Sequence, residues 1–264
     1  MPSMDNKVCV VTGGASGIGR ASALKLATSG AKAVVVADID EEGAKKTVEL
    51  IEAAGGTASV KTTDLEAPEQ IGALMKYTAD TYGSLDTLVN NAGVHEMYWT
   101  DETSVDKLPL EIFEKVYRIN LRSVFLTTQA AAPYLRSSTN DPVIVNAAST
   151  GAFTGYPAAG AYGSTKAAIM QFTRVAAVDL SPHIRVNAFA PGTVDTAMVD
   201  RMLEGAGNRE DLEKTMTATH LVPRMGKPED IANLVCFLAS SEASWITGAT
   251  YLIDGGSLAW RGSN

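Results

Sequence analysis

Cysteine is scarce in this sequence. Only Cys9 and Cys236 occur among 264 residues, which is too few for a disulfide framework or a cysteine-based metal cluster. Each lies within a short apolar run, so we expect both to be small buried side chains. The sequence also lacks a cluster of His, Cys and Asp that would indicate a catalytic metal, and we predict none. The low cysteine content favours a reducing, cytoplasmic location.

Long hydrophobic runs and an excess of basic residues are also missing. The longest unbroken apolar run, Leu234 to Ala239, is far shorter than the roughly 18 residues that a membrane span needs. The chain has 22 Lys and Arg against 30 Asp and Glu, a formal net charge of -8. Such a charge argues against binding to a nucleic-acid backbone. We therefore expect neither a membrane nor a nucleic acid as partner.

The residues that are present predict a single globular α/β domain over 1–264. Hydrophobic residues make up 45% of the chain and charged residues 20%, which is typical of a packed core. Seven short apolar segments alternate with helical ones, a pattern typical of a doubly wound parallel sheet with helices on both faces. The predicted strands lie at 8–11, 33–37, 58–63, 85–90, 143–148, 184–189 and 250–253. The predicted helices lie at 18–29, 41–54, 68–82, 110–136, 159–180 and 228–239, and 193–222 is predicted to be an irregular or weakly helical lid.

A glycine-rich segment follows the first predicted strand and opens the first predicted helix. Glycines here let the backbone approach a pyrophosphate, and the helix N-terminus supplies free N–H groups. We therefore predict a dinucleotide site that includes Gly13, Ser16, Gly17, Ile18 and Gly19.

Asp38 ends the second predicted strand and is followed by Ile39. A carboxylate at this place accepts hydrogen bonds from a ribose 2′-hydroxyl and repels a 2′-phosphate. Neither Ile39 nor Ser16 supplies a positive charge for that phosphate. The two residues therefore favour NAD over NADP as the cofactor.

The order of further motifs resembles that of the classical short-chain dehydrogenase/reductase family. These motifs are Asn90-Asn91-Ala92-Gly93, Asn120, Ser149, Tyr162-Gly163-Ser164-Thr165-Lys166 and Pro191-Gly192. The resemblance extends from about Lys7 to Gly256 and implies a Rossmann-like fold and a nicotinamide cofactor. It also implies a homotetramer in which the helices over 110–136 and 158–180 pair between subunits.

Tyr162 and Lys166 are four residues apart in a predicted helix, so their side chains leave the same face. A nearby positive charge lowers the pKa of a phenol, which makes Tyr162 a candidate general acid/base. The resemblance implies that Ser149 holds the substrate oxygen and that Asn120 anchors a water of a proton relay. These four residues are the predicted catalytic set.

The resemblance also implies further cofactor and substrate contacts. Besides Tyr162 and Lys166, the implied cofactor residues are Asp64, Leu65, Asn91, Ala92, Gly93, Pro191, Gly192, Val194 and Thr196. The candidate substrate residues are His95, Ser149, Phe153, Tyr156, Tyr162 and Met198. The candidate pocket is mostly apolar and contains no Arg or Lys to hold an anion. His95 is either a solvated loop residue or a polar contact to the substrate.

The sequence as a whole predicts an NAD-dependent oxidoreductase that acts on a hydrophobic or alicyclic secondary alcohol and its ketone. Two other oxidoreductase activities remain open, a cis-dihydrodiol dehydrogenase and a 3-oxoacyl thioester reductase. A non-catalytic, NAD(H)-binding regulatory scaffold is the alternative from another class. The four-residue spacing of Tyr162 and Lys166 disfavours an enoyl reductase.

Overall fold

A parallel β-sheet of seven strands forms the centre of the protein. The computed structural model describes residues 2–203 and 209–260. The strand order is β3-β2-β1-β4-β5-β6-β7, and every pairing is parallel. The strands are β1 Val8–Thr12, β2 Ala33–Asp38, β3 Ala58–Thr62, β4 Thr87–Asn90, β5 Val143–Ala147, β6 Arg185–Pro191 and β7 Thr250–Ile253. The predicted doubly wound sheet is confirmed.

Helices cover both faces of this sheet. They are α1 Gly17–Thr28, α2 Glu41–Ala53, α3 Pro68–Tyr82, α4 Leu110–Tyr117, α5 Ser123–Ser137, α6 Gly160–Leu180, α7 Ala197–Leu203, α8 Arg209–Thr217 and α9 Pro228–Ala239. Apolar residues of α1, α2 and α9 pack in one core layer, and those of α3, α5 and α6 pack in the other. Cys9 and Val11 of β1 face the first layer, whereas Val10 faces the second. Burial on both faces explains why β1 and β2 are nearly continuous apolar runs. The edge strands β3 and β7 are only partly buried.

The strand order reverses between β1 and β4. The chain leaves β1 for β2 and β3 on one side of the sheet, and it returns to place β4 on the other side of β1. The loops after these two strands diverge and leave a crevice at the carboxyl ends of the strands. Polar residues that follow the strands are therefore brought together at this edge.

One region differs from the prediction. The helix expected over 110–136 is interrupted by a π-helical turn, Arg118–Arg122, between α4 and α5. A π turn adds one residue to a helical repeat without a Pro or Gly to mark it, so the apolar spacing gave no signal. The segment 193–222, expected to be irregular or weakly helical, contains the two short helices α7 and α8 among its described residues.

Neither a membrane-spanning helix nor a metal-binding cluster of side chains is found among the described residues. No helix among them is long and apolar enough to cross a membrane. They also contain no group of three or more His, Cys, Asp or Glu side chains placed to bind a metal ion. Cys9 and Cys236 are free and buried, as predicted.

Candidate active site

A cleft of about 520 Å³ opens at the carboxyl ends of the strands. Most of the residues predicted to bind a cofactor or substrate line it. They are Gly13, Ser16, Gly17, Ile18, Asp38, Ile39, Asp64, Leu65, Asn91, Ala92, Gly93, Ser149, Tyr162, Lys166, Pro191, Gly192, Val194, Thr196 and Met198. The fold thus brings residues from distant parts of the chain into one wall.

The glycine-rich loop between β1 and α1 is shaped by close backbone contacts. Gly13 has φ +65°, and a Cβ there would lie 2.7 Å from the Cα of Ala92. A Cβ on Gly19 would lie 1.9 Å from the Gly13 carbonyl oxygen, so Gly19 supports the loop from below and does not line the cleft. Ser16 precedes α1 without a side-chain cap, which leaves the first N–H groups of the helix for an anion.

Asp38 lies at the edge of the cleft, at the end of β2. One carboxylate oxygen accepts a hydrogen bond from the Ala15 N–H at 2.9 Å, and the other accepts from the Asp40 N–H at 3.0 Å. Ile39 beside it is 69% exposed. The guanidinium of Arg20 donates to the Ala15 carbonyl, to the Thr47 hydroxyl at 3.0 Å and to the Gly43 carbonyl at 3.3 Å.

Tyr162, Lys166 and Ser149 meet below the mouth of the cleft. The Lys166 Nζ donates to the Ala147 carbonyl at 2.8 Å and lies 5.6 Å from the centroid of the Tyr162 ring. Burial lowers the pKa of Lys166 to about 8. Burial raises the pKa of Tyr162, and the hydrogen bond with the Ser149 side chain opposes that rise. A phenol, a hydroxyl and an ammonium at such short range are suited to move a proton at a substrate oxygen.

Asn120 lies in the π-helical turn and is fully buried. Its Oδ1 accepts from the Val94 N–H at 2.8 Å, while its Nδ2 donates to the Val94 carbonyl at 2.9 Å and to Thr165 Oγ1 at 3.2 Å. Asn120 therefore holds the segment after β4 against α6. Asn120 does not line the cleft. It lies next to Gly93, where an added Cβ would meet both Lys166 Nζ and Asn120 Oδ1.

Several residues of the cleft wall carry no motif that marks them in the sequence. They are Thr63, Glu66, Val94, Tyr98, Trp99, Lys115, Ile119, Ala147, Ala148, Phe189, Ala197 and Val199. The ammonium of Lys115 lies 4.5 Å above the ring centroid of Trp99, so the cleft contains a cation that the candidate substrate residues do not include. The helical spacing of Lys115 and Ile119 was an available signal, because residues four apart share a face.

Comparison with known proteins places these features in a family. A family model described as enoyl-(acyl carrier protein) reductase matches residues 13–257. A structure of a short-chain type dehydrogenase/reductase from Mycobacterium marinum superposes with a TM-score of 0.88 at 30% identity, covering 97% of this chain and 96% of that one. The chain belongs to the classical short-chain dehydrogenase/reductase family. The predicted family is confirmed.

Named members of this family differ in their substrates. A 3-oxoacyl-(acyl-carrier-protein) reductase from Thermotoga maritima is 36% identical over 256 residues, which are 96% of this chain and 98% of that protein. A cyclohexanol dehydrogenase from Acinetobacter sp. (strain SE19) is 33% identical over 252 residues, 95% of this chain and 94% of that one. The chain is therefore an oxidoreductase of a family that uses a nicotinamide cofactor, and the cleft fits such a group.

The fit to a dinucleotide depends on two features of the cleft. The contacts of Gly13 and Gly19 leave no space for side chains in the loop after β1, so main-chain N–H groups can approach a phosphate. Asp38 and Asp64 line the same cleft after β2 and β3. Short-chain dehydrogenases/reductases bind their cofactor at this switch point of the sheet.

Three predicted substrate residues lie outside the wall of the main cleft. Phe153 and Tyr156 line a second cavity of about 660 Å³, next to Gly151 and the start of α6. His95 is only 2% exposed, which excludes the solvated alternative. Its ring stacks on that of Tyr162, with the centroids 5.0 Å apart and the planes at 27°.

Proposed function

We propose that this protein catalyses the NAD-dependent oxidation of a hydrophobic or alicyclic secondary alcohol to its ketone, and the reverse reduction. The observation that carries the proposal is the convergence of Ser149, Tyr162 and Lys166 in the cleft that the glycine-rich loop opens. Their positions match the proton-transfer groups that the family resemblance implies.

The chain's own residues would position the alcohol and move its proton. Ser149 donates a hydrogen bond to the substrate oxygen, and Tyr162 removes the hydroxyl proton during oxidation or returns it during reduction. Lys166, when protonated, favours the phenolate of Tyr162 through its charge. When bound, the nicotinamide supplies the acceptor for the hydride that leaves the carbinol carbon. One alcohol then yields one ketone, one reduced cofactor and one proton.

The preference for NAD is supported by the edge of the cleft at β2. Asp38 presents a carboxylate where a 2′-phosphate would add further negative charge. Ile39 is exposed and uncharged, and Arg20 is held by Thr47 and main-chain carbonyls. Asp38 and Ile39 therefore offer no positive charge to the 2′-phosphate of NADP, and the hydrogen bonds of Arg20 are made to other groups.

The preference for a hydrophobic substrate is supported by the apolar side chains of the cleft. Tyr98, Trp99, Met198 and Val199 line the same cleft as Tyr162, and aromatic and thioether side chains favour an apolar ring. The cyclohexanol dehydrogenase named above acts on an alicyclic alcohol by its name. Lys115 adds one cation to this wall, so the assays include alicyclic alcohols with and without a carboxylate.

The experiment follows the absorbance of reduced nicotinamide. The protein is incubated with NAD⁺ or NADP⁺ and a panel of alicyclic, aromatic and acyclic secondary alcohols, and in the reverse direction with ketones and a 3-oxoacyl thioester. Tyr162→Phe is the matched control, since it keeps the ring and removes the hydroxyl. Turnover with NAD⁺ that falls about 100-fold or more in this variant supports the proposal. Tight NADH binding without turnover would favour a regulatory scaffold, and activity restricted to the thioester would favour a reductase of acyl chains.

We also propose a homotetramer. Phe125 on α5 and Val175 and Val178 on α6 are large apolar residues that lie 47%, 47% and 75% exposed. Exposed apolar residues on adjacent helices favour burial against a second copy. Sedimentation at several protein concentrations tests this, and a monomer at all of them would contradict it.

A further inference from the structure

His95 and Glu96 follow β4 and are buried although both are polar. Glu96 is 0% exposed and His95 is 2% exposed. Buried carboxylates are rare and need compensating hydrogen bonds. Both residues make contacts with Tyr162 or its main chain.

The carboxylate of Glu96 caps the helix that carries Tyr162. Its two oxygens accept hydrogen bonds from the Ala161 and Tyr162 main-chain N–H groups, at 2.9 and 3.1 Å. Helix α6 begins at Gly160, and the preceding Ala159 offers no side-chain cap. Glu96 supplies from a distant loop what an N-cap residue normally supplies locally. A negative charge is also favourable at a helix N-terminus.

The imidazole of His95 packs on the phenol ring of the same tyrosine. Its Nδ1 accepts a hydrogen bond from the Met97 N–H at 3.3 Å and lies 3.5 Å from a carboxylate oxygen of Glu96. With Nδ1 as the acceptor, the neutral ring carries its proton on Nε2. Burial lowers the pKa of His95, which favours this neutral form. Nε2 is buried and has no partner among the described residues. A phenyl ring would avoid the cost of that unpaired donor.

We propose that His95 and Glu96 are a positioning pair for Tyr162, with Glu96 fixing its backbone and His95 fixing the plane of its ring. The role rests on the proposed function, in which Tyr162 moves the proton. Displacement of a reacting group by about 1 Å can lower a rate about 100-fold. The pair lies on the loop that also carries Tyr98 of the cleft wall, so one short segment orders the substrate wall and the acid/base together.

The charge of Glu96 allows this role to be tested through the titration of Tyr162. Burial is the main cause that raises the pKa of Tyr162, the hydrogen bond with Ser149 lowers it, and Tyr98 and Glu96 raise it further. The other titratable groups against Tyr162 are Lys166, whose Nζ is 5.6 Å from its ring, the stacked His95, and Tyr156. Removing the charge of Glu96 should therefore shift the titration of Tyr162 to lower pH.

The first test compares His95→Phe with His95→Asn. Phenylalanine keeps a flat ring without nitrogen atoms, whereas asparagine keeps a polar acceptor near the Met97 N–H without the ring. We expect His95→Asn to lower kcat about 10- to 100-fold, with an unchanged Kd for NADH, and His95→Phe to recover most of that loss. Equal loss in both variants would overturn the role of the ring, because the nitrogen atoms would then be what matters.

The second test uses Glu96→Gln, with Glu102→Gln as the control on the same segment. Tyr162 is titrated by tyrosinate absorbance, as the difference between each protein and its Tyr162→Phe counterpart, and by kcat against pH for alcohol oxidation. We expect the pKa of Tyr162 to be lower in Glu96→Gln than in the wild-type protein, together with a lower kcat. An unchanged pKa together with an unchanged kcat would overturn the role of Glu96.

The absorbance titration separates this proposal from the proposed function. It needs no substrate, so a shift of the Tyr162 titration in Glu96→Gln supports the positioning pair even if no alcohol is turned over. Conversely, if turnover depends on Tyr162 but is the same in wild type, His95→Asn, His95→Phe and Glu96→Gln, the proposed function stands and the positioning pair is contradicted.

Discussion

The carboxylate of Asp38 accepts a hydrogen bond of 2.9 Å from the main-chain N–H of Ala15. The end of β2 is therefore tied to the glycine-rich loop after β1. A carboxylate has about four acceptor positions, so the same side chain has capacity left for a ribose hydroxyl. Cofactor preference and loop geometry are thus linked at one residue, and a substitution there must be designed to separate them.

Asp38→Asn combined with Ile39→Arg should shift cofactor preference toward NADP. Asparagine keeps an oxygen for the Ala15 N–H, while the lost charge and the new guanidinium remove repulsion and add a phosphate partner. We expect the ratio of kcat/KM for NADP⁺ to that for NAD⁺ to rise about 100-fold or more. Asp40→Asn, an exposed neighbour outside the cleft wall, is the control. An unchanged ratio would remove Asp38 from its proposed role.

Gly19→Ala should abolish dinucleotide binding and destabilise the protein. The new Cβ would lie 1.9 Å from the Gly13 carbonyl oxygen, so the loop and α1 must move apart. We expect the Kd for NADH to rise at least about 100-fold and Tm to fall. Gly72→Ala, in an exposed turn of α3 with nothing near the added methyl, is the matched control and should gain about 0.5–1 kcal/mol of stability. Equal NADH affinity in both variants would contradict this view of the loop.

The fold was predictable because buried strands and helix ends both have recognisable residue patterns in the sequence. Strands covered on both faces are continuous apolar runs, which explains the agreement at β2, where every residue before Asp38 is buried. The predicted bounds of α3 and α9 agree with the structure, because Pro68 and Pro228 mark the first turns and Pro is suited to that position. Seven strands alternating with helices then allow few arrangements other than a doubly wound sheet.

The site was less predictable where a contact depends on tertiary packing. The π turn at Asn120 has no marker residue, and the capping of α6 by Glu96 joins residues 65 and 66 positions apart. Lys115 lies in α4, away from the strand ends and outside any motif, so the sequence alone does not mark it as a cleft residue. His95 lies in a segment that reads as a loop, and no pattern in the sequence indicates that it is buried. Its burial follows from stacking on a tyrosine in a distant helix.

Stability should rise with pH in a way that depends on Lys166. Burial lowers its pKa to about 8 from 10.5, so between these values the unfolded state binds more protons than the folded one. Folding free energy then becomes more favourable as pH rises through this window. We expect the stability advantage of Lys166→Met over wild type to shrink by about 3 kcal/mol from pH 7 to above 10.5. Denaturation by urea across this range measures it, with the exposed Lys46→Met as control, and a flat difference would contradict the burial cost.

Lys115→Met should change which alcohols the protein prefers. The ammonium of Lys115 lines the cleft and lies 4.5 Å above Trp99, and it has no carboxylate within ion-pair distance among the described residues. A substrate carboxylate that reaches it gains a charge-assisted hydrogen bond. We therefore expect the ratio of kcat/KM for a neutral alicyclic alcohol to that for its carboxylated analogue to rise about tenfold in the variant. Lys107→Met, exposed before α4, is the control. A ratio that moves equally in both variants would show that the overall charge of the protein, rather than a contact in the cleft, sets this preference.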